Sequence, residues 1–214
     1  MKISLTDLGK RYNYEWIFRH VDLTFAAGEA YAILGHNGSG KSTLLNTISG
    51  NLLPSEGQVS FNFKGLEIDP DQFYRYLSYA SPYLELVEEY TLSELISFHG
   101  RFKKLRLTST EQLIDRLQLQ KARHKYVKDF SSGMKQRLKL GLAIFSEAPI
   151  LLLDEPTTNL DQDGINWYLE HVTANRENRL VIISSNVAQE YSFCDERIRI
   201  TDYHPVPGAS KKQG

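Results

Sequence analysis

Two stretches of the chain hold residue types spaced for phosphate chemistry. Gly35, His36, Asn37, Gly38, Ser39, Gly40, Lys41 and Ser42, followed by Thr43, satisfy the pattern G-x-x-x-x-G-K-[ST]. Glycines let successive backbone N–H groups turn inward around an anion, and a helix starting there adds its positive end. Lys41 would then reach the β- and γ-phosphates of a nucleotide, and the Ser42 hydroxyl would coordinate Mg²⁺. The second stretch is the apolar run 150–153, which ends in Asp154 and Glu155. A magnesium ion held by a hydroxyl needs an acidic group on its other side. Asp154 is suited to hold the metal or its water, and Glu155 to polarise an attacking water. Together the two stretches imply that ATP is bound and hydrolysed.

These groups need an architecture that brings them together. Residues 30–34 form a short apolar run that breaks at Gly35, and residues 42–49 carry Leu44, Leu45 and Ile48 at helical spacing before Gly50. The runs 150–153 and 180–183 are almost wholly apolar, as suits strands of a parallel sheet covered on both faces. The first thirty residues and 59–63 alternate instead, which implies an antiparallel flank. Between about 83 and 148 the spacing reads as helical throughout. Thr91 with Glu94 makes a capping box there, and Leu113, Ile114 and Leu117 share a face. The expected fold is therefore α/β: a phosphate-loop (P-loop NTPase) core built from 1–82 and 149–204, with a helical subdomain inserted at 83–148. From His204 onward the chain has little to bury and reads as a frayed tail, the flexible segment proper being 205–214.

Composition narrows the class. A chain of 214 residues has room for one core domain with a small insertion. With 25 basic and 26 acidic residues it has no global charge to recommend a nucleic-acid partner. Lys103-Lys104 and Lys211-Lys212 read as solvated surface. The single cysteine, Cys194, excludes an internal disulfide and reads as a small buried hydrophobe in a reducing compartment. No apolar stretch reaches the ~18 residues needed to span a bilayer, and the start lacks the apolar centre of a secretion signal. The expectation is a soluble, cytoplasmic protein, peripheral to a membrane only through a partner.

With both motifs in view, residues 130–137, Phe-Ser-Ser-Gly-Met-Lys-Gln-Arg, resemble the signature L-S-G-G-Q-x-Q-R of the ATP-binding cassette family. Ser131, Gly133, Gln136 and Arg137 match, whereas Phe130, Ser132 and Met134 depart. By itself the segment is a serine-capped helix start ahead of an apolar stripe at Leu138, Leu142 and Phe145, with no phosphate of its own. Asn159-Leu160-Asp161 is similar to the family's D-loop. Tyr12 falls where the family places a ring that stacks on adenine, although a tyrosine there could equally be strand surface. The resemblance implies a nucleotide-binding subunit that drives a separate membrane permease. It also implies a head-to-tail dimer, with a like subunit or a related one, in which ATP lies between the phosphate loop of one copy and Ser131 and Gly133 of the other.

Two positions leave the family pattern. Where it has glutamine at the junction of sheet and helical subdomain, this chain has Ser81 or Pro82. After the strand 180–183 the family places a histidine on the γ-phosphate, and this chain reads Ser184-Ser185-Asn186. Asn186 can donate a hydrogen bond to that phosphate but cannot take up charge. His36 and His171 stand elsewhere, and His171 reads as an exposed polar residue. The altered positions leave two further readings open: an ATP-dependent dimerising module with slow or no turnover, and a cassette ATPase that works without a membrane.

Overall fold

The computed structural model describes residues 1–205. Its centre is a five-stranded, wholly parallel sheet in the order β6-β7-β8-β3-β9. The strands are β3 (Ala30–Leu34), β6 (Leu77–Ala80), β7 (Ile150–Asp154), β8 (Leu180–Ser184) and β9 (Glu196–Arg199). A four-stranded antiparallel sheet, β2-β1-β4-β5, lies beside it, built from β1 (Lys2–Tyr12), β2 (Glu15–Ala26), β4 (Glu56–Phe63) and β5 (Leu66–Glu67). The helices are α1 (Lys41–Ile48), α2 (Leu92–Gly100), α3 (Thr110–Arg116), α4 (Ser132–Ile144) and α5 (Gln162–Ala174).

The apolar strands work on both faces. Leu151, Leu153, Val181 and Ile183 join one core with α2 to α5, while Ile150, Leu152, Leu180 and Ile182 join a second with α1 and the antiparallel sheet. Successive side chains of a strand point to opposite faces, so an unbroken apolar run is what a sheet covered twice requires. Full burial of one such side chain is worth about 1.5–3 kcal/mol.

The segment 83–148 is helical only in part. It holds α2, α3 and α4 with two short 3₁₀ turns, and its connections pair instead, as at Thr91 with Tyr126 and Leu105 with Ser146. The capping box forms as expected, with the Thr91 N–H donating to Glu94 Oε2 at 2.8 Å. Lys103 is not solvated: its ammonium turns inward to the carbonyls of Tyr74 and Leu77, and burial lowers its pKa. Lys104 does stay in water, beside Glu147. Cys194 is half-buried against the first core, and burial pushes its thiol up to about 12. His171 is the reverse of an exposed polar residue, at 7% exposure. It lies on the inner face of α5 between Phe145 and Trp167.

The end of the chain departs from a frayed tail at its first residue. A 3₁₀ turn, Ile200–Tyr203, carries His204 back to the phosphate loop, where Nε2 lies 2.9 Å from the Ser39 carbonyl. The expected tail beyond it, and Lys211-Lys212 with it, lies outside the described residues apart from Pro205. Among the described residues no helix is long and apolar enough to cross a membrane.

Candidate active site

The ends of four parallel strands meet at one edge of the sheet. Register pairs Asp154 with Ser184, Ile33 with Ser184 and Ala80 with Leu153, so the loops after β3, β6, β7 and β8 emerge side by side. Loops at the carboxyl edge of a parallel sheet are where such folds place ligands.

The loop after β3 wraps tightly before α1. Gly40 has φ 97°, and a Cβ there would fall 2.4 Å from Ile17 Cγ2 of the antiparallel sheet. A Cβ on Gly35 would fall 2.4 Å from Ser39 Oγ. Both positions therefore require glycine. No side chain caps α1, so its first N–H groups face the loop without a local acceptor. Ser39 Oγ is buried with no hydrogen-bond partner, a cost that an acceptor in the cradle would remove. Lys41 is 4% exposed, and its ammonium donates to the carbonyls of Gly35 at 3.0 Å and His36 at 3.3 Å. His36 is exposed, its Nδ1 2.9 Å from the Asn37 carbonyl.

Asp154, 2% exposed, faces this loop across the sheet edge. The Ser42 hydroxyl donates to its Oδ1 at 3.0 Å, and the Ser184 hydroxyl donates to the same oxygen. Tyr79, on neighbouring β6, feels the same charge: burial first, and Asp154 second, push its hydroxyl up to about 12. Glu155 turns away from the strand at φ 42°, a left-handed conformation uncommon in a residue with a side chain. Its N–H is held by the Ser184 carbonyl at 2.9 Å, and its Oε1 lies 3.9 Å from Lys41 Nζ. A hydroxyl and a carboxylate in contact are a fitting pair of ligands for Mg²⁺, and a carboxylate beside a buried ammonium is suited to act on a water next to a phosphate.

The remaining candidates fall into two groups. Asn186, in the loop after β8, reaches the phosphate loop, its amide donating to Asn37 Oδ1. Ser81 is buried at the end of β6, and the Pro82 carbonyl accepts from Lys139 of α4 at 2.5 Å. Tyr12 lies at the end of β1, 49% exposed, with the Lys10 ammonium 5.4 Å from its ring centre. Ser131 and Gly133 stand apart from the phosphate loop. Ser131 caps α4 by accepting the Met134 N–H at 3.2 Å, and Gly133 packs against the Asn159 carbonyl. They line a cleft of about 430 Å³ with Leu119, Asn159 and Asp161, and no residue of the phosphate loop contributes to it.

The residue that the sequence motifs do not mark is Glu190. It is buried between Thr157, just past Glu155, and Ser185, just before Asn186. A lone glutamate in a polar stretch gives no motif, and only the fold brings its partners together.

A parallel sheet that delivers a glycine-rich loop, a buried aspartate and a glutamate to one edge defines the class of phosphate-loop nucleotide-binding proteins. A family model described as ABC transporter matches residues 18–158. Among curated proteins, the uncharacterized ABC transporter ATP-binding protein YybJ of Bacillus subtilis (strain 168) is 30% identical over 199 residues, covering 90% of this chain and 89% of its own. The ABC transporter ATP-binding protein NatA of the same strain is 30% identical over 209 residues, covering 92% of this chain and 85% of its own. A solved ATP-binding subunit of an ABC transporter superposes with a TM-score of 0.81 at 26% identity, over 94% of this chain and 87% of that one. The chain belongs to the ABC transporter family, as an ATP-binding and ATP-hydrolysing subunit that powers a transporter.

Proposed function

We propose that the sheet edge described above is the hydrolytic site and that it works in a head-to-tail dimer beside a membrane permease, on its cytoplasmic side. The observation that carries this reading is the meeting of Lys41, Ser42, Asp154, Glu155 and Asn186 at one edge, with Ser131 and Gly133 facing a separate cleft. Backbone N–H groups of 35–43 and the Lys41 ammonium bind the phosphates. Ser42 and Asp154 would hold Mg²⁺, which neutralises phosphate charge when bound. Glu155 takes the proton of the attacking water, Asn186 donates to the γ-phosphate, and Tyr12 stacks on the base. Ser131 and Gly133 have no phosphate within their own chain, and the γ-phosphate held by a second copy supplies one.

The permease belongs on the helical segment. Tyr83 is 83% exposed there, and Leu84, Val87, Phe98 and Phe102 are exposed near it. Leu84, Val87 and Phe98 border a cleft of about 200 Å³ between α2, α4 and β6. Exposed apolar side chains grouped in this way mark an interaction surface. The tagged chain should be recovered from solubilised native membranes with one integral membrane protein. Val87→Asp together with Phe98→Asp should release it into the soluble fraction while ATP binding persists. Wild-type chain found wholly in the soluble fraction, or a double variant still held by the membrane, would overturn the assignment of this face.

A further inference from the structure

Glu190 is 3% exposed, and no lysine, arginine or histidine pairs with it among the described residues. Burying a carboxylate without a cation is costly unless hydrogen bonds meet its charge. Here they do. Oε1 accepts the Thr157 N–H at 2.9 Å and also the Thr157 hydroxyl, and Oε2 accepts the Ser185 hydroxyl. The loop it closes is tied to itself as well. Ser185 Oγ accepts the Val187 N–H at 2.8 Å, and the Glu190 N–H donates to the Val187 carbonyl at 3.0 Å. From behind, the hydroxyl of buried Tyr168 on α5 donates to the Glu190 carbonyl at 3.0 Å.

The two sides of this bond network are the two loops that carry the reacting groups. Thr157 stands two residues after Glu155, in a turn closed by Thr158 N–H to the Glu155 carbonyl at 3.2 Å. The same turn is held on its other side by α4, whose Gln136 amide donates to the Pro156 carbonyl at 2.8 Å. Ser185 immediately precedes Asn186. Beyond the sheet, where the last backbone bond runs from the Glu155 N–H to the Ser184 carbonyl, this one side chain ties the turn after Glu155 to the loop bearing Asn186.

We propose that Glu190 is a positioning residue for hydrolysis: its carboxylate locks the Asn186 loop to the Glu155 turn, so that the water-activating carboxylate and the phosphate-facing amide are held in register. The proposal rests on the roles given above to Glu155 and Asn186. A displacement of a reacting group by ~1 Å can cost about a hundredfold in rate, whereas the bonds of the Glu190 side chain go to Thr157 and Ser185 and to no residue of the phosphate loop. The lock therefore bears on turnover and not on ATP affinity.

The test uses the full chain with Mg-ATP and compares Glu190→Ala, Glu190→Gln and Glu155→Gln by ATP affinity, kcat and KM, with thermal melting as the check on folding. Glu190→Ala should lose about a hundredfold in kcat while ATP affinity stays within about twofold. Glutamine can still accept the Thr157 N–H and can donate to Ser185 Oγ, whose proton then turns to the Val187 carbonyl 3.3 Å away, so Glu190→Gln should keep most of the rate. Ser185→Ala and Thr157→Val each remove one hydroxyl donor and test the lock even if Glu190→Ala does not fold. Each should lower kcat at unchanged affinity. Wild-type kcat in Glu190→Ala, or in both hydroxyl variants, overturns the proposal, and so does a loss confined to KM or a glutamine variant as slow as the alanine one. If Glu155→Gln hydrolyses ATP at the normal rate, the reading of the site has failed instead of the lock.

Discussion

Asn186 occupies the position from which a side chain can touch both the phosphate loop and the space in front of it, and its amide donates to Asn37. A histidine there could stabilise the charge that grows on the γ-phosphate, whereas an amide offers a neutral bond. The missing contact acts in the transition state, so Asn186→His should raise kcat by up to about a hundredfold, or ~3 kcal/mol, with little change in KM. Steady-state hydrolysis by the two proteins decides it, and an equal or lower rate in the histidine variant would mean that another group already supplies the contact. At this scale the site was legible where its chemistry runs along contiguous residues, as in 35–43 and 154–155. In the proposed reading each of those stretches acts through groups adjacent in sequence. Glu190 was not legible, because its partner Thr157 lies 33 positions away and nothing local marks the pair. His204 was missed for the same reason, since a residue read as tail meets Ser39 only once β9 has turned the chain back.

Among the elements, α4 has the most specified ends. Ser131 caps its start, and at its far end buried Arg179 donates to the Ile144 carbonyl at 2.7 Å and to that of Ala143 at 3.4 Å. Along its side α5 packs through His171 and Trp167, with Phe145 between the helices. Burial holds the His171 imidazole below its usual pKa, with Glu170 and a backbone hydrogen bond at Arg116 opposing the shift and the charges of Arg116 and Arg137 adding to it. His99 on α2 is shifted the same way, by burial and then by Lys103. A lowered imidazole pKa means that the unfolded chain binds protons first as the pH falls, so stability is fully present above about 6.5 and is lost as the pH drops below it. Replacing His171 by Phe, which suits its aromatic neighbours, should make the urea midpoint fall less between about pH 7.5 and about pH 5.5 than it does in the wild type. Equal falls in the two proteins would show that His171 takes no part. The parallel strands β3, β7 and β8 could be read from their unbroken apolar runs, and β1, β2 and β4 from alternation. The short strand β9 could not, since Glu-Arg-Ile-Arg is the pattern of a half-exposed edge and gains its pairing only from β3. The connections within 83–148 are not helix, and their leucines stand two residues apart, as at Leu105 and Leu107 or Leu117 and Leu119, with Leu86, Leu105 and Leu107 packed against the first core.

In the whole molecule, the phosphate loop and the Ser131 cleft are two halves of a site in the proposed arrangement, and each half shows what it lacks. The phosphate loop has a buried Ser39 hydroxyl with no partner and a helix start with no cap. The cleft has a helix start whose serine cap leaves further N–H groups, beside Asn159 and Asp161. No residue of the phosphate loop lines the Ser131 cleft. A second copy turned head to tail satisfies both halves at once, with ATP as the shared ligand, and hydrolysis would remove the γ-phosphate that bridges them. Glu155→Gln keeps the shape of the side chain, removes the proposed general base, and leaves Lys41, Ser42 and Asp154 in place for the proposed Mg-ATP contacts. Light scattering on this variant should therefore give the mass of a monomer without nucleotide and that of a dimer with Mg-ATP. Adding Gly133→Trp should abolish the dimer while ATP binding persists, because Gly133 lies in the cleft and not in the phosphate loop. A Glu155→Gln protein that binds ATP and stays monomeric, even with its permease present, would rule out the shared site, and a Gly133→Trp variant that still dimerises would move the interface away from this cleft.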